Sequence, residues 1–570
     1  MSVVSEADIQ ATFCATVVDE WIALGMTHAV ICPGSRSTPL ALALAARPEV
    51  QLHIRLDERS AAFVALGASR ALAVPVPILV TSGTAAAELH AAVAEADLSG
   101  ISLLVVTADR PAELHDVRAP QTLIQHGLFG DAVRAMIDPG VPVASTMAVW
   151  RSIAARAWLT ARGGVVDPGP VHLNLQFREP LVGTPQPLPE GRPHGWRDEV
   201  RSSGMARAEL HHVLQGTNRV LVVAGAGAPA ELGTICAERQ WPLLADPRSG
   251  LRTAGAVGLA DPILRSEAAA AALCPEVIVV VGESWASKVL GQRIASWVRG
   301  GATLVHLSGR TALDDPLHLV HLRVACGDGA MVSVLEQCPA ASDPSYRTSW
   351  LAADAAATAA LTDALDGDPA MLNEVVAARL VAAAPFSALV VSSSMPIRDL
   401  EWFAPQIVAP MVWSNRGANG IDGVVSTAIG TTFATDGPVA VVVGDLAFLH
   451  DLTALVDGLG AEGGSLTVVV VDNGGGGIFS FLPQATAVDP STFSALFQTA
   501  RPIDHRAVVT GLGHMAISVT SGDALADALE ESAARPGITV IHVPVPAPSS
   551  NVSLHDHLNA AVGAAVAAVL

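Results

Sequence analysis

Short apolar runs recur along the chain, each broken off by Gly, Pro, Ser, Asp or Asn. In the first 180 residues these are HAVIC before PGSRSTP, QLHIR before DERSAAF, VPILV before TSGTAAAEL, and SLLVV before TADRP, with GPVHLNLQF closing the region. Runs of this length, rich in Val, Ile and Leu and followed by a helical stretch, predict buried parallel strands alternating with helices. RVLVVAGAG, PEVIVVVGES and ATLVHLSG repeat the pattern between about 200 and 340. ALVVSSS, PVAVVVGD, SLTVVVVDN and GITVIHV repeat it again nearer the C-terminus, after an Ala- and Asp-rich helical stretch at 350–383.

The expected fold class is therefore α/β, with three doubly wound parallel-sheet domains over 1–185, 196–345 and 370–570 and a Pro/Gly-rich linker at 180–195. In each unit the polar residues fall just after a strand, at the carboxyl edge of the sheet, where open α/β folds bind ligands. The chain's 570 residues suit several domains, because one hydrophobic core stops growing at about 250–300.

Composition narrows the function. Hydrophobic residues make up 51% and charged residues 15%, which excludes large-scale disorder. The formal charge of -21 and the lack of basic clusters interleaved with aromatics argue against nucleic acid. A small molecule is the expected partner, and an anionic one requires local Arg or Lys clusters. Cys14, Cys32, Cys236, Cys274, Cys326 and Cys338 form no C-x-x-C pair and read as reduced thiols. An acidic N-terminus and the absence of an apolar run long enough to span a bilayer predict a cytoplasmic protein with no membrane partner.

The strongest local motif is AVVVGDLAFLHD followed by TVVVVDNGGGGIF. It places Asp445 and Asn473 at neighbouring strand ends. Magnesium bound to phosphate takes oxygen ligands from one or two carboxylates, the phosphate and water. Asp445, the side-chain oxygen of Asn473 and the carbonyl of Gly475 can supply half that shell, while Gly444 and Gly474–Gly477 let the backbone approach a diphosphate. The plainer alternative is a tight turn with a helix cap.

This pair resembles the thiamine-diphosphate motif, a G-D followed by N some 25 to 30 residues later, with Leu446 and Gly474 departing from its usual residues. CPGSRSTPLALAL, DERSAAF, TSGTAAAELHAAVAEA with TADRP, SSSMPIRDL and WSNRGANGIDGVVST extend the resemblance over nearly the whole chain. Together they are similar to the SEPHCHC synthase family, thiamine-diphosphate and Mg2+ (or Mn2+) dependent transferases of menaquinone biosynthesis. That resemblance implies pyrimidine-binding, middle and diphosphate-binding domains in that order. It also implies a reaction that decarboxylates 2-oxoglutarate and adds the succinyl semialdehyde carbanion to isochorismate. A homodimer or homotetramer with active sites at subunit interfaces is part of the same implication.

Residue by residue, the resemblance makes Glu58 the carboxylate against the cofactor's aminopyrimidine, although Asp57 and Glu58 equally suit a helix N-terminus. It makes Ile421 the apolar prop of the bent cofactor, where core packing is the alternative. Ser394, Met395, Gly444, Leu446 and Ile478 join Asp445, Asn473 and Gly475 at the cofactor. Ser35, Arg36, Arg110, Gln121 and Lys288 face isochorismate; Ser394, Arg398 and Arg416 hold 2-oxoglutarate, and Phe479 lies at the substrate. Arginine grips a carboxylate bidentately, although any single one suits a surface ion pair. Lys288 is the sole lysine of the chain, and a helix-start lysine is its alternative role.

Three other readings compete. Gly225, Gly227 and Ala230, with Asp246 downstream, fit a dinucleotide fingerprint. An acetohydroxyacid-synthase-like or benzoylformate-type enzyme would share the cofactor but lack S-R-S-T-P and S-N-R-G-A. A non-catalytic relative would lose the glutamate or a metal ligand. His555 and His557 in HDHL read as solvated residues without a metal role.

Overall fold

The computed structural model describes residues 4–164, 166–191, 206–283, 285–312, 314–366, 372–460 and 463–570. It divides into two units, 1–200 with 415–437 and 449–466, and 201–414 with 438–448 and 467–570.

In the first unit the Val- and Leu-rich runs become a six-stranded sheet. Its strand order is Gln51–Ile54, His28–Ile31, Val76–Val80, Leu103–Asp109, Val171–Gln176 and Ala135–Ile137, parallel throughout. The central strands Val76–Val80 and Leu103–Asp109 are buried at every residue, as helices on both faces require. One face is covered by helices Glu6–Ala23 and Trp150–Arg162, whose Phe13, Val17, Trp21 and Trp158 pack on Leu104 and Leu173. Ser5 starts the first helix, with its hydroxyl on the Asp8 amide and the Asp8 carboxylate on the Ser5 amide.

The helix Glu58–Leu72 packs against Val424–Thr432, a helix from a segment far along the chain. Glycines set how close they come. A Cβ on Gly67 would lie 2.0 Å from the Thr427 carbonyl oxygen, and one on Gly430 would lie 1.9 Å from that of Val64. The expected linker is partly fixed: Thr184 N donates to Asp8 Oδ1 and Gln186 N to Thr12 Oγ1. Residues 192–195 lie outside the described residues.

The second unit holds two sheets. The five-stranded one runs Leu322–Ala325, Thr303–Ser308, Val277–Val281, Val220–Ala224 and Leu243–Ala245; the six-stranded one runs Met411–Trp413, Ala388–Val391, Val439–Gly444, Ser465–Asp472, Gly537–Pro544 and Met515–Ser518. The expected helical stretch at 350–383 is two helices, Ser345–Leu365 and Glu374–Ala383. The first buries Trp350 and Leu361 with Leu558 and Val562 of the helix Pro548–Ala567. That helix corrects the reading of His555 as solvated. Its ring is buried between Phe403 and Phe481, with Nε2 3.0 Å from Asp399 Oδ1, because an apolar helix face turns it inward, while His557 is exposed.

Candidate active site

At the carboxyl edge of the first sheet, three loops are stitched into one surface. Gly34 fits because its missing Cβ would sit 2.2 Å from that of Thr81, so the loop after the first strand lies on the loop after the third. The Arg36 amide donates to Thr81 Oγ1, and its buried guanidinium donates to the Phe177 carbonyl (3.0 Å) and Glu179 Oε1 (3.1 Å). Arg110 donates to Ser82 Oγ, which donates to the Gln121 carbonyl at 3.0 Å, and Gln121 Nε2 returns a bond to the Ser82 carbonyl at 3.1 Å. The structure thus brings Arg36, Arg110 and Gln121 to one edge, with Ser35 exposed beside them. Burial, then the nearby charge of Arg36, lowers the pKa of Arg110 from its usual value.

Glu58 opens its helix and is half-buried. Asp57 accepts from the Ser60 amide (3.2 Å) and from Thr453 Oγ1 (2.7 Å), and Ser60 Oγ lies 2.8 Å from Ser426 Oγ. Beneath them the buried Asp451 accepts from the Ser426 amide (2.7 Å) and hydroxyl (2.8 Å), and burial pushes its carboxyl up to about 6. Glu95 fixes the loop that carries Arg416: its carboxylate accepts from the Gly417 amide (3.0 Å), the Ala418 amide (2.7 Å) and Ser99 Oγ (2.7 Å). Ile421, further along that loop, is 38% exposed. All six cysteines are free thiols, and burial, then the charges of Glu58 and Asp57, pushes Cys32 well above its usual range.

In the second unit, the strand Val439–Gly444 runs directly into the helix Asp445–His450, and Ser465–Asp472 ends beside it. The Asp445 carboxyl is buried and pushed up to about 6, first by burial and then by the charge of Asp472. Asn473 Nδ2 lies 3.4 Å from Glu374 Oε1, while its Oδ1 is buried with no hydrogen-bond partner. Gly475 adopts φ +128°, and a Cβ there would meet the Gln498 carbonyl oxygen at 2.1 Å. A Cβ on Gly444 would meet nothing within 4 Å. A buried acid, an orphaned amide oxygen and open space over a glycine fit a cation carrying a diphosphate. Leu446, Ile478 and Phe479 flank this group half-buried, and Phe479 packs on Phe497.

Ser394 precedes the helix Met395–Phe403, Met395 is buried, and Arg398 turns back to donate to the Ser393 (3.0 Å) and Ser394 (2.7 Å) carbonyls. Lys288 is exposed at the first position of the helix Lys288–Arg299. It lines a cavity of about 520 Å³ walled by that helix, the middle sheet and residues 314–317; Ser394 and Arg398 are not among its walls.

Sequence reasoning passed over Glu95, Asp451 and Glu374, and also Asp472, whose carboxylate lies 2.9 Å from His542 Nε2 and 3.5 Å from His505 Nε2. Apart from near neighbours such as Ser99 beside Glu95, their partners lie 25 or more residues away along the chain, so no spacing rule reveals them. At the dinucleotide-like turn a Cβ on Gly225 would meet the Glu283 carbonyl oxygen at 1.7 Å, Gly227 adopts φ +80° with nothing within 4 Å of a Cβ there, and Asp246 is ion-paired with Arg248.

Two family models match the chain, the thiamine pyrophosphate enzyme N-terminal TPP binding domain over residues 12–129 and the C-terminal TPP binding domain over residues 404–543. Fold and site together define a thiamine-diphosphate enzyme. The chain is 36% identical to a 2-succinyl-5-enolpyruvyl-6-hydroxy-3-cyclohexene-1-carboxylate synthase of Bacillus velezensis, over 96% of this chain and 97% of that one. Synthases of the same name from Thermobifida fusca (40% identity, 85% and 87% covered) and Myxococcus xanthus (37%, 89% and 90%) are similarly related. The chain belongs to the family of 2-succinyl-5-enolpyruvyl-6-hydroxy-3-cyclohexene-1-carboxylate (SEPHCHC) synthases. Among the described residues no helix is long and apolar enough to cross a membrane.

Proposed function

We propose that the chain is a transferase of menaquinone biosynthesis that decarboxylates 2-oxoglutarate and joins the remaining four-carbon unit to isochorismate, releasing CO2 and SEPHCHC. The observation that carries this reading is the orphaned Oδ1 of Asn473 beside the buried carboxyl of Asp445, at strand ends matched by the C-terminal family model. Bound thiamine diphosphate supplies the electron sink for carbon–carbon bond cleavage and formation. Asp445, Asn473 and the Gly475 carbonyl hold its Mg2+, and Gly444, Leu446, Met395 and Ile478 surround it. Glu58 carries the proton exchanged with the pyrimidine ring, and Ile421 supports the cofactor's shape.

Ser394, Arg398 and Arg416 bind 2-oxoglutarate; Ser35, Arg36, Arg110, Gln121 and Lys288 bind isochorismate; Phe479 lies at the substrate. Both substrates are dianions, and the guanidiniums set their orientation as well as offsetting their charge. The pyrimidine-binding role falls to 1–185 and the diphosphate-binding role to 370–570. The working form is a cytoplasmic dimer or tetramer whose active sites lie at subunit interfaces.

The test is loss of isochorismate absorbance with 2-oxoglutarate, thiamine diphosphate and Mg2+ added singly and together. Consumption that needs all three is the expected result. No consumption by cofactor-loaded protein would reject the substrates and leave the enzyme class standing.

A further inference from the structure

The second unit buries a set of charges that the chemistry above does not use. Arg252, 2% exposed, donates through Nη1 to the carbonyls of Leu400 (3.1 Å), Glu401 (3.0 Å) and Ala404 (2.7 Å), and through Nε to that of Ala245 (2.9 Å). It therefore sits at the C-terminal, negative end of the helix Met395–Phe403. Glu401, 1% exposed, projects from the last turn of that helix. Its Oε2 accepts from the Ala286 amide at 3.0 Å, and its Oε1 is buried with no hydrogen-bond partner.

Ala286 leads into the start of the other helix of interest. Ser287 Oγ caps Lys288–Arg299 by accepting from the Leu290 amide (2.9 Å) and donates to the buried Asp261. One helix carries Ser394 and Arg398 at its beginning, the other begins with Lys288, and the Glu401 carboxylate bridges them. Burying an acid and a guanidinium is costly, and apolar replacements are often no less stable, so stability alone is a weak reason for this arrangement. Position is a better one. Burial, then the charges of Asp246 and Asp261, pushes Glu401 up to about 8, so a neutral amide is a close substitute for it.

We propose that Glu401 is a positioning residue for the acceptor substrate: through the Ala286 amide it sets where Lys288 stands relative to the helix that holds 2-oxoglutarate. This rests on the assignment of Lys288 to isochorismate. In Glu401→Ala the helix Met395–Phe403 keeps Arg252, so the segment released is the one leading to Lys288.

The experiment compares wild type, Glu401→Ala, Glu401→Gln, Lys288→Ala and the Lys288→Ala/Glu401→Ala double variant in the holoenzyme. KM is measured for each substrate, together with CO2 release from 2-oxoglutarate without isochorismate. Glu401→Ala is expected to raise KM for isochorismate about tenfold, with KM for 2-oxoglutarate and acceptor-independent CO2 release within about twofold of wild type. Gln should restore the wild-type KM, and the double variant should be no worse than Lys288→Ala alone.

Equal rises in both KM values, no rise in either, equal effects of Ala and Gln, or full additivity with Lys288→Ala would each overturn the proposal. An unchanged KM for isochorismate in Lys288→Ala would overturn the assignment beneath it, and wild-type turnover without isochorismate consumption would reject the substrate reading itself. Should the Ala variant fail to fold, Glu401→Met, which keeps the volume and removes the acceptor, is read in its place.

Discussion

The carboxyl edges of the first and third sheets present opposite kinds of incompleteness. At the first, cations meet partners inside the chain: Arg36 has Phe177 and Glu179, Arg110 has Ser82, and Gln121 closes on Ser82. At the third, the acceptor Oδ1 of Asn473 has no donor and Asp445 is buried beside another acid. The first edge is a surface shaped in advance, whose cost of ordering is met by folding. The third leaves an oxygen acceptor unmet beside two acids. An edge whose cations are met within the chain is thus distinguishable from one whose acceptors are not before any ligand is considered.

The sharpest way to separate them is Glu58→Gln, expected to lower kcat about 10²–10⁴-fold, the span general acid–base groups usually contribute, with thiamine diphosphate affinity within a few fold. Near wild-type turnover would remove Glu58 from its role. Asp445→Ala is expected to act the other way round. It should weaken Mg2+-dependent cofactor binding roughly 10–100-fold and cut the stabilisation that cofactor plus Mg2+ gives, from about 2.7 kcal/mol at a hundred times the wild-type Kd to about 0.4–1.4 kcal/mol at the same concentration. Titration calorimetry and melting curves with and without a chelator read both.

Smaller effects sharpen the picture of the first unit. Asp451 is satisfied by two bonds from Ser426 yet has its carboxyl raised to about 6 by burial. The folded state then holds a proton that the unfolded state has already released. Its contribution to stability falls as pH rises from about 4 through about 6 and is level above that. Chemical unfolding should show wild type losing roughly 1–3 kcal/mol relative to Asp451→Asn across that window, and parallel profiles would refute it. Ser82→Ala should cost about 1 kcal/mol of stability and raise KM for isochorismate a few fold, because Arg110 loses an anchor but keeps its charge.

Much of the fold was legible, for a reason visible in which strands were missed. Every strand the apolar pattern failed to announce, Ala135–Ile137, Leu243–Ala245, Leu322–Ala325, Met411–Trp413 and Met515–Ser518, lies at a sheet edge. Central parallel strands are buried on both faces and announce themselves as Val/Ile runs; an edge strand of three or four residues has no such demand on its composition. At the sites, the glycines, acids and arginines after strands were readable because they belong to local motifs. Glu95, Asp451, Glu401 and Arg252 were not, since each works through a partner recruited by tertiary packing. His555 was misread because only the face its helix buries decides whether a histidine is solvated.

The close fit of Gly67 and Gly430 has a consequence for how the protein is made. Helix Glu58–Leu72 reaches its final neighbour only when residues 424–432 have left the ribosome, and that unit's last segment ends at 466. At roughly 5–20 residues per second, the helix waits on the order of 20–70 s for that partner. Slow translation between the two segments lengthens that wait.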